Sequence, residues 1–519
     1  MIPLTKQKSK KTVAVIDIGS SVVKMILAEQ KNNQVHKIDT LKKPLYLGHE
    51  VFNTGRISFE CLKELCEILE DYQVVMKEYG VQDYTVIATS ALREAKNQKF
   101  VVDQIKVKTG MTVQICDDSM EKALIYYEVI RTVNSQNGLV PNKKTLISHT
   151  GTGSTGLCIH ENGVITFSQT LSMGSLKIHD MLDDIAASNS AFDEAAEEYL
   201  DSVFDNIVMP FPSQMIDSLV MTGTEMDLVA RLCGASLEGG MYRVTGDAIR
   251  KLFHQVKNNS LDQLSLAFQI SEERAEMLYS SLSIFSRLMN LTQADEILIP
   301  KIDLDDAFLR KMLFSNWKRE YDSYMEKSAI ACAETFAARY QCDPAHYTVI
   351  AHHAVNLFDR LKRLHGFTNK HRTILQVAAI LHDSGYFVNA KGGCAAEVIR
   401  NIDICGLSSE DMKLAAVVAN FNELWDPNFD GVSFLSFTEE QLLLCSKLTA
   451  IFRLANALDK SRKHKIQEIK VKLRGDEIVL SGVCDQNLYL EKWAVRHCAP
   501  FFKAAFGIQP VLQIKSTMI

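Results

Sequence analysis

Two stretches of the chain, IDIGSSVVKM at residues 16–25 and ISHTGTGSTGL at 147–157, share one plan: a β-branched run, a tight turn of Gly, Ser and Thr, and a second apolar run. Such a turn directs backbone N–H groups outward, where phosphate oxygens can accept from them. A single copy is equally well explained by a plain hairpin turn with a capping Asp. Two copies about one subdomain apart constrain the fold far more. They predict two similar α/β halves facing a cleft, each presenting a loop to a phosphorylated ligand. A third loop, TGT at 222–224, fits the same plan. The expected phosphate-binding residues are Gly19, Ser20 and Ser21 in the first loop and Gly151, Gly153, Ser154 and Thr155 in the second. Asp17, at a strand end, is placed to hold Mg²⁺ through water.

Around these loops strand and helix alternate. ISFECLKELCEILEDYQVVMKEYG has apolar residues at helical spacing, YTVIATSALREA passes from strand to helix, and EILIPKIDLDDAFLRKML is a last strand running into a helix. After Asn316 a helical block runs without a strand pattern to about Ile469, and the tail reads as a hairpin around Gly475-Asp476, a helix and a short strand. At 519 residues the chain is too long for one core. The expected division is a basic tail at 1–10, α/β subdomains at 11–135 and 136–315, a helical domain at 316–465 and a small α/β cap at 466–519.

The net charge of −6 gives no whole-chain preference for DNA or an anionic membrane, and no run reaches the ~18 apolar residues of a membrane helix. The KQKSKK tail has no apolar stretch behind it and reads as solvated. Twelve Cys are scattered without a CxxC pair, which predicts reduced, buried thiols in a cytoplasmic protein.

ATSALREAKN at 88–97, SMEKA at 119–123 and SHTGTGSTG at 148–156 resemble motifs of the exopolyphosphatase and guanosine pentaphosphate phosphatase (Ppx/GppA) family, in the actin-like ATPase superfamily. There the first loop reads like DLGSNS, the signature like ATSALREAxN, an acidic helix start like GxEEA and the second loop like DIGGGSTE. The resemblance spans nearly the whole chain. It implies two actin-like (ribonuclease H-like) α/β subdomains, an all-α HD-like domain and a small C-terminal α/β cap, assembled as a homodimer. It also implies a phosphohydrolase that releases terminal phosphate from polyphosphate or guanosine pentaphosphate by Mg²⁺-assisted attack of water. Carried onto this sequence, Glu121 becomes the catalytic base and Arg93 sits beside the cleft. Without the resemblance, the two read equally as a surface helix pair.

The departures fall on charged positions. His149 stands where the pattern has its metal-linked Asp, Thr152 on the middle Gly, and Gly156 on the Glu that would orient water. General-base effects alone are worth ~10²–10⁴-fold, so losing both carboxylates predicts weak or absent turnover. Asp305 replaces an Arg of a GLREG-like stretch and is expected to repel polyanions, while Lys24 reads as an exposed strand residue or a new phosphate contact. The alternative to an enzyme is therefore a non-catalytic sensor that binds polyphosphate or a phosphorylated guanine nucleotide.

In the helical half, LHDSG at 381–385 and the upstream CDPAHYTVIAHHAVNLFDRL resemble HD-domain phosphatases. The resemblance implies a partial metal site of His346, His382 and Asp383, with Asn456 in place of a ligand Asp and other ligand positions falling near Gly393 and on Asn422. Helix packing without metal is the other reading. Lys362, Arg363, Lys370, His371 and Arg372 form the best candidate basic patch.

Overall fold

The computed structural model describes residues 11–136, 138–139, 142–186, 192–207, 209–387, 394–421 and 437–516. Residues 1–10 of the basic tail, Gly393 and Asn422 lie outside them. The chain divides between Tyr324 and Met325 into two compact units.

In the first lobe of the first unit, β1 (Thr12–Ile18), β2 (Val22–Lys31) and β3 (Gln34–Pro44) form an antiparallel meander. Next come α1 (Leu47–Thr54), α2 (Phe59–Glu78), β4 (Asp83–Ala88), α3 (Ser90–Glu94), α4 (Gln98–Thr109), β5 (Val113–Ile115) and α5 (Asp118–Ser135). β4 joins β1 in parallel and β5 joins β4, giving the order β3-β2-β1-β4-β5. β1 reads as a continuous apolar run because both its faces are covered. Ala14, Ile16 and Ile18 pack with Leu62, Leu65 and Leu69 of α2, which leaves Val13, Val15 and Asp17 on the opposite face.

The second lobe repeats the plan. β6 (Thr145–Thr150), β7 (Thr155–Glu161) and β8 (Val164–Leu171) form a meander, followed by α6 (Ser175–Ala186), α7 (Phe192–Phe204), β9 (Ser218–Gly223) and α8 (Met226–Leu232). The lobe continues through β10 (Met241–Thr245), α9 (Gly246–Lys257), α10 (Leu261–Phe268), α11 (Glu272–Asn290), β11 (Glu296–Pro300) and α12 (Leu304–Leu313). The sheet order is β10-β11-β9-β6-β7-β8. β10 was not legible as a strand, being a five-residue edge held only by its antiparallel pairing with β11. α12 returns to pack against β1 of the first lobe.

The registers make the repeat exact at the loops. Asp17 lies opposite Lys24 and beside Ile87; His149, at the equivalent place, lies opposite Gly156 and beside Thr222.

α13 (Trp317–Arg339) starts in the first unit. Trp317 stacks on Tyr321 with ring centroids 4.9 Å apart, Tyr127 meets both edge-on, and Trp317 Nε1 donates to Glu128 Oε1 at 2.6 Å. These contacts draw the start of the helix past the boundary expected at residue 316.

The second unit contains α14 (Pro344–His365), α15 (Asn369–Leu381), α16 (Cys394–Arg400), α17 (Ser409–Asn420) and α18 (Glu439–Ala457). Then come β12 (Lys470–Arg474), β13 (Glu477–Cys484), α19 (Tyr489–Phe506) and β14 (Gln509–Ser516). α14 shows why these segments are helices with sharp ends: Asp343 caps it, Pro344 opens it and Gly366 closes it in the left-handed conformation. β13 pairs with β12 in antiparallel and with β14 in parallel, and α19 packs on α18, so the small cap belongs to the helical unit. Among the described residues no helix is long and apolar enough to cross a membrane, and all twelve Cys are free.

Candidate functional site

The β1–β2 and β6–β7 turns hold the two loops. Gly19 N–H donates to Val22 O at 3.0 Å and Gly151 N–H to Ser154 O at 2.9 Å. Both amides close their own turns, which corrects the expectation that they point outward. Among the described residues no backbone carbonyl accepts from the amides of Ser20, Ser21, Thr152, Gly153 or Ser154, so these are the loop donors left for an anion. Thr155 opens β7 with its side chain fully buried and its Oγ1 3.5 Å from Thr150 Oγ1. Ser21 O is taken by Leu45 N–H at 3.1 Å. Both loops touch α3: Ser20 Oγ lies 2.9 Å from Ser90 Oγ, and a Cβ on Gly153 would stand 2.7 Å from Ser90 Cβ. Glycine at 153 permits that approach.

The signature ATSALREA becomes the end of β4 and α3, which aims Arg93 at the start of α5. Its Nη1 donates to Glu121 Oε2 at 2.8 Å and to Cys116 O at 2.9 Å, and its Nη2 donates to Asp118 Oδ1 at 2.7 Å. Ser154 Oγ donates to the same Asp118 oxygen at 3.1 Å. Lys122 Nζ stands 3.6 Å from both Asp118 Oδ1 and Glu121 Oε1. Arg93 and Glu121 are thus a mostly buried pair tied to the second loop, and not a surface helix pair. Burial pushes the Glu121 carboxyl up, but Lys122 and Arg93 outweigh it and hold it below its ordinary range.

At the first loop, Asp17 is half-buried with its Oδ1 covered, and this desolvation together with the nearby Asp305 holds its carboxyl well above the usual range against the opposing pull of Lys24. Lys24 is not exposed as a plain strand residue would be. Its ammonium pairs with Asp305 and lies 3.4 Å from Asp303 Oδ2, with the side chain 14% exposed. Asp305 is fully buried in that pair, so it does not present its charge to a polyanion as the sequence suggested.

His149 Nδ1 lies 3.0 Å from Thr222 Oγ1, whose hydroxyl donates to Ser148 O at 3.1 Å. Thr222 has one hydroxyl proton, so this network assigns the imidazole proton to Nδ1 and leaves Nε2 an acceptor. Burial, helped by Lys122, pushes the His149 pKa down to about 3, so the ring is neutral.

Residues 25–315 match the Ppx/GppA phosphatase family and residues 330–495 match Ppx/GppA phosphatase, domain III. The chain belongs to the Ppx/GppA phosphatase family. It is 23% identical over 460 residues, 85% of this chain and 87% of the relative, to a guanosine-5'-triphosphate,3'-diphosphate pyrophosphatase of Pseudoalteromonas translucida (strain TAC 125). Among solved structures, an exopolyphosphatase-like protein matches 59% of this chain and 98% of its own at 17% identity and a TM-score of 0.50. The Ppx/GppA family member of Aquifex aeolicus matches 58% and 98% at 20% identity and a TM-score of 0.49. At 17% identity the likeness to the exopolyphosphatase-like protein speaks for fold alone: two actin-like α/β lobes, followed here by a mainly helical domain III that also holds β12 and β13.

Within this Ppx/GppA protein, the positions where the motif DIGGGSTE would supply acids are rebuilt. A Cβ on Gly156 would stand 2.3 Å from Tyr126 Oη and 2.9 Å from Lys122 Cδ, so the room for a side chain there is already taken. The expected Mg²⁺ does not fit this donor set. Mg²⁺ wants hard oxygen ligands and space for several of its own waters. Asp17 is a single half-buried carboxyl beside the Lys24 ammonium, His149 carries no charge, and Asp118 and Glu121 are already engaged by Arg93.

In the second unit His346, His382 and Asp383 do come together, with ligand atoms within 4.8 Å of one another. Domain III also supplies groups that the motif comparison missed. Asp459, one turn beyond Asn456, accepts from His346 Nδ1 at 2.7 Å and from His464 Nδ1 at 2.9 Å, and Arg462 clamps both oxygens of Asp383 at 2.7 and 2.9 Å. His382 Nδ1 donates to Ala379 O, and burial pushes its pKa down to about 4. Arg462 thus already balances Asp383, and two imidazole N–H groups occupy one oxygen of Asp459. In the basic patch, Arg372 pairs with Glu326 and Asp359 and Lys370 with Asp411, which spends much of the charge expected to meet a polyanion.

Proposed function

We propose that the cleft of the first unit binds the terminal phosphoryl group of polyphosphate or guanosine pentaphosphate and hydrolyses it slowly, with Glu121 as base. The observation that carries this reading is the single network from Arg93 through Glu121 and Asp118 to Ser154, which ties the candidate base to the second loop. In the step, a water oxygen bonds to the terminal phosphorus while its proton goes to Glu121. The bridging P–O bond breaks, and its electron pair leaves with the shortened phosphate or nucleotide. Arg93, Lys122 and the amides of Gly153 and Ser154 are the groups available to balance charge on the phosphoryl oxygens. A base held below the usual carboxylate range accepts a proton reluctantly, hence slow turnover. The name of the Pseudoalteromonas relative, a pyrophosphatase of a guanosine polyphosphate, supports phosphoanhydride chemistry.

The filled space over Gly156 favours a second reading, a regulator that binds the same ligand without turnover. Either protein would act as a cytoplasmic homodimer, which sedimentation would test. Phosphate release from polyphosphate and from guanosine pentaphosphate, measured for the wild type and Glu121→Gln, separates the readings. Release that disappears in the variant supports the hydrolase, tight binding with no release selects the regulator, and equal release by both proteins removes Glu121 from the mechanism.

A further inference from the structure

Each strand-end position of the cleft has a lysine beside it. Lys24 lies opposite Asp17 in the β1–β2 pair. Lys122 comes from α5, and its Cγ and Cδ lie 3.0 and 2.9 Å from where a Cβ at Gly156 would stand, which is opposite His149 in the β6–β7 pair. The GxEEA-like start of α5 therefore carries a cation in place of its second acid, and the glycine that replaces another acid leaves the space its stem fills. These two changes are in contact. Lys122 is 3% exposed, and its Nζ makes only long ion pairs, 3.6 Å to each of Asp118 and Glu121, so two distant carboxylates face an ammonium that has three donors. Arg93 already holds the same two acids at 2.7 and 2.8 Å. On the first lobe, Lys24 pairs with Asp305 and Asp303 and so leaves no set of unpaired acids for a dication.

We propose that the Lys122 ammonium replaces a divalent cation at the second loop, so that the cleft binds the terminal phosphoryl group of a phosphoanhydride without metal. This rests on the phosphoanhydride reading of the cleft. A tethered ammonium contributes charge and hydrogen bonds to phosphoryl oxygens while asking for no carboxylate ligands, which matches the acids lost at 149 and 156 and the cation gained at 122.

The test is titration calorimetry of tripolyphosphate into the full-length protein, with and without a metal chelator, for the wild type, Lys122→Met and Lys122→Arg. Wild-type affinity is expected to change by less than about twofold with chelator, to fall roughly tenfold to a hundredfold in Lys122→Met, and to survive largely in Lys122→Arg, which keeps the charge. Binding that chelator abolishes and Mg²⁺ restores, with Lys122→Met unaffected, overturns the inference and leaves the phosphoanhydride reading standing. Absence of wild-type binding in either buffer overturns both. Should Lys122→Met fail to fold, the chelator comparison on the wild type decides alone.

Discussion

Adding one methyl group at Gly156 reports directly on how full the space above the second loop is. An ideal Cβ there stands 2.3 Å from Tyr126 Oη and 2.9 and 3.0 Å from Lys122 Cδ and Cγ. Ordinary contact begins near ~3.5 Å, so the hydroxyl would have to retreat by about 1 Å. Tyr126 is 2% exposed and Gly156 lies in a strand paired on both sides, which leaves little freedom to do so. Overpacking of this kind costs ~1–3 kcal/mol. At about 2 °C or less per kcal/mol for a unit of this size, Gly156→Ala should lower the melting midpoint of the first unit by up to about 6 °C. Removing the nearest atom should relieve the strain, so in a Tyr126→Phe background the alanine should cost at least ~1 kcal/mol less, read as a double-mutant cycle. A glutamate at 156 forces more atoms into the same space. His149→Asp with Gly156→Glu, the pair that restores the family motif, should therefore fail to raise phosphate release. Scanning calorimetry and a release assay decide the matter. An unchanged midpoint in Gly156→Ala, or faster release from the paired variant, would show that the space is open.

Three further outcomes follow from the ion pairs. Asp17 has a folded-state pKa above its unfolded value near 3.8, so the folded state holds that proton more tightly and loses stability as pH rises from about 4 through the raised value. Asp17→Asn is thus expected to melt higher than the wild type at pH 7 and to lose that advantage near pH 4; a pH-independent difference would contradict it. Lys24→Met alone should cost ~3–5 kcal/mol because it strands the buried Asp305, whereas Lys24→Met with Asp305→Leu should recover most of that loss in denaturant unfolding. Arg462→Leu leaves Asp383 without its bidentate partner and should destabilise the helical unit by a smaller ~1–2 kcal/mol, because Arg462 is partly exposed, with the midpoint of the first unit unmoved.

The two-lobed fold was legible because its signals are local. β-branched runs ending in Gly/Ser/Thr turns, ATSALREAKN and the long amphipathic helices each declare an element from within a short window, and the registers at Asp17 and His149 follow from the repeated hairpins. What escaped was set by pairing at a distance. β10 has too little pattern of its own to be read without β11, and Lys24 looked exposed until α12 brought Asp303 and Asp305 against it. The Lys in SMEKA was visible as a departure from GxEEA, yet nothing in the sequence said that its stem would lie over Gly156.

The sequence by itself determined the family, the two loops, the alternation of strand and helix around them and the identities at 17, 121, 149 and 156. Only the tertiary structure decided what those identities mean. A carboxylate or an imidazole takes its charge from burial and from the groups within a few ångströms of it, and those neighbours come from α3, α5, β9 and α12, far apart along the chain. Hence Glu121 is held ionised by two cations, Asp17 is pushed toward its neutral form, and the space over Gly156 is already filled by Lys122 and Tyr126.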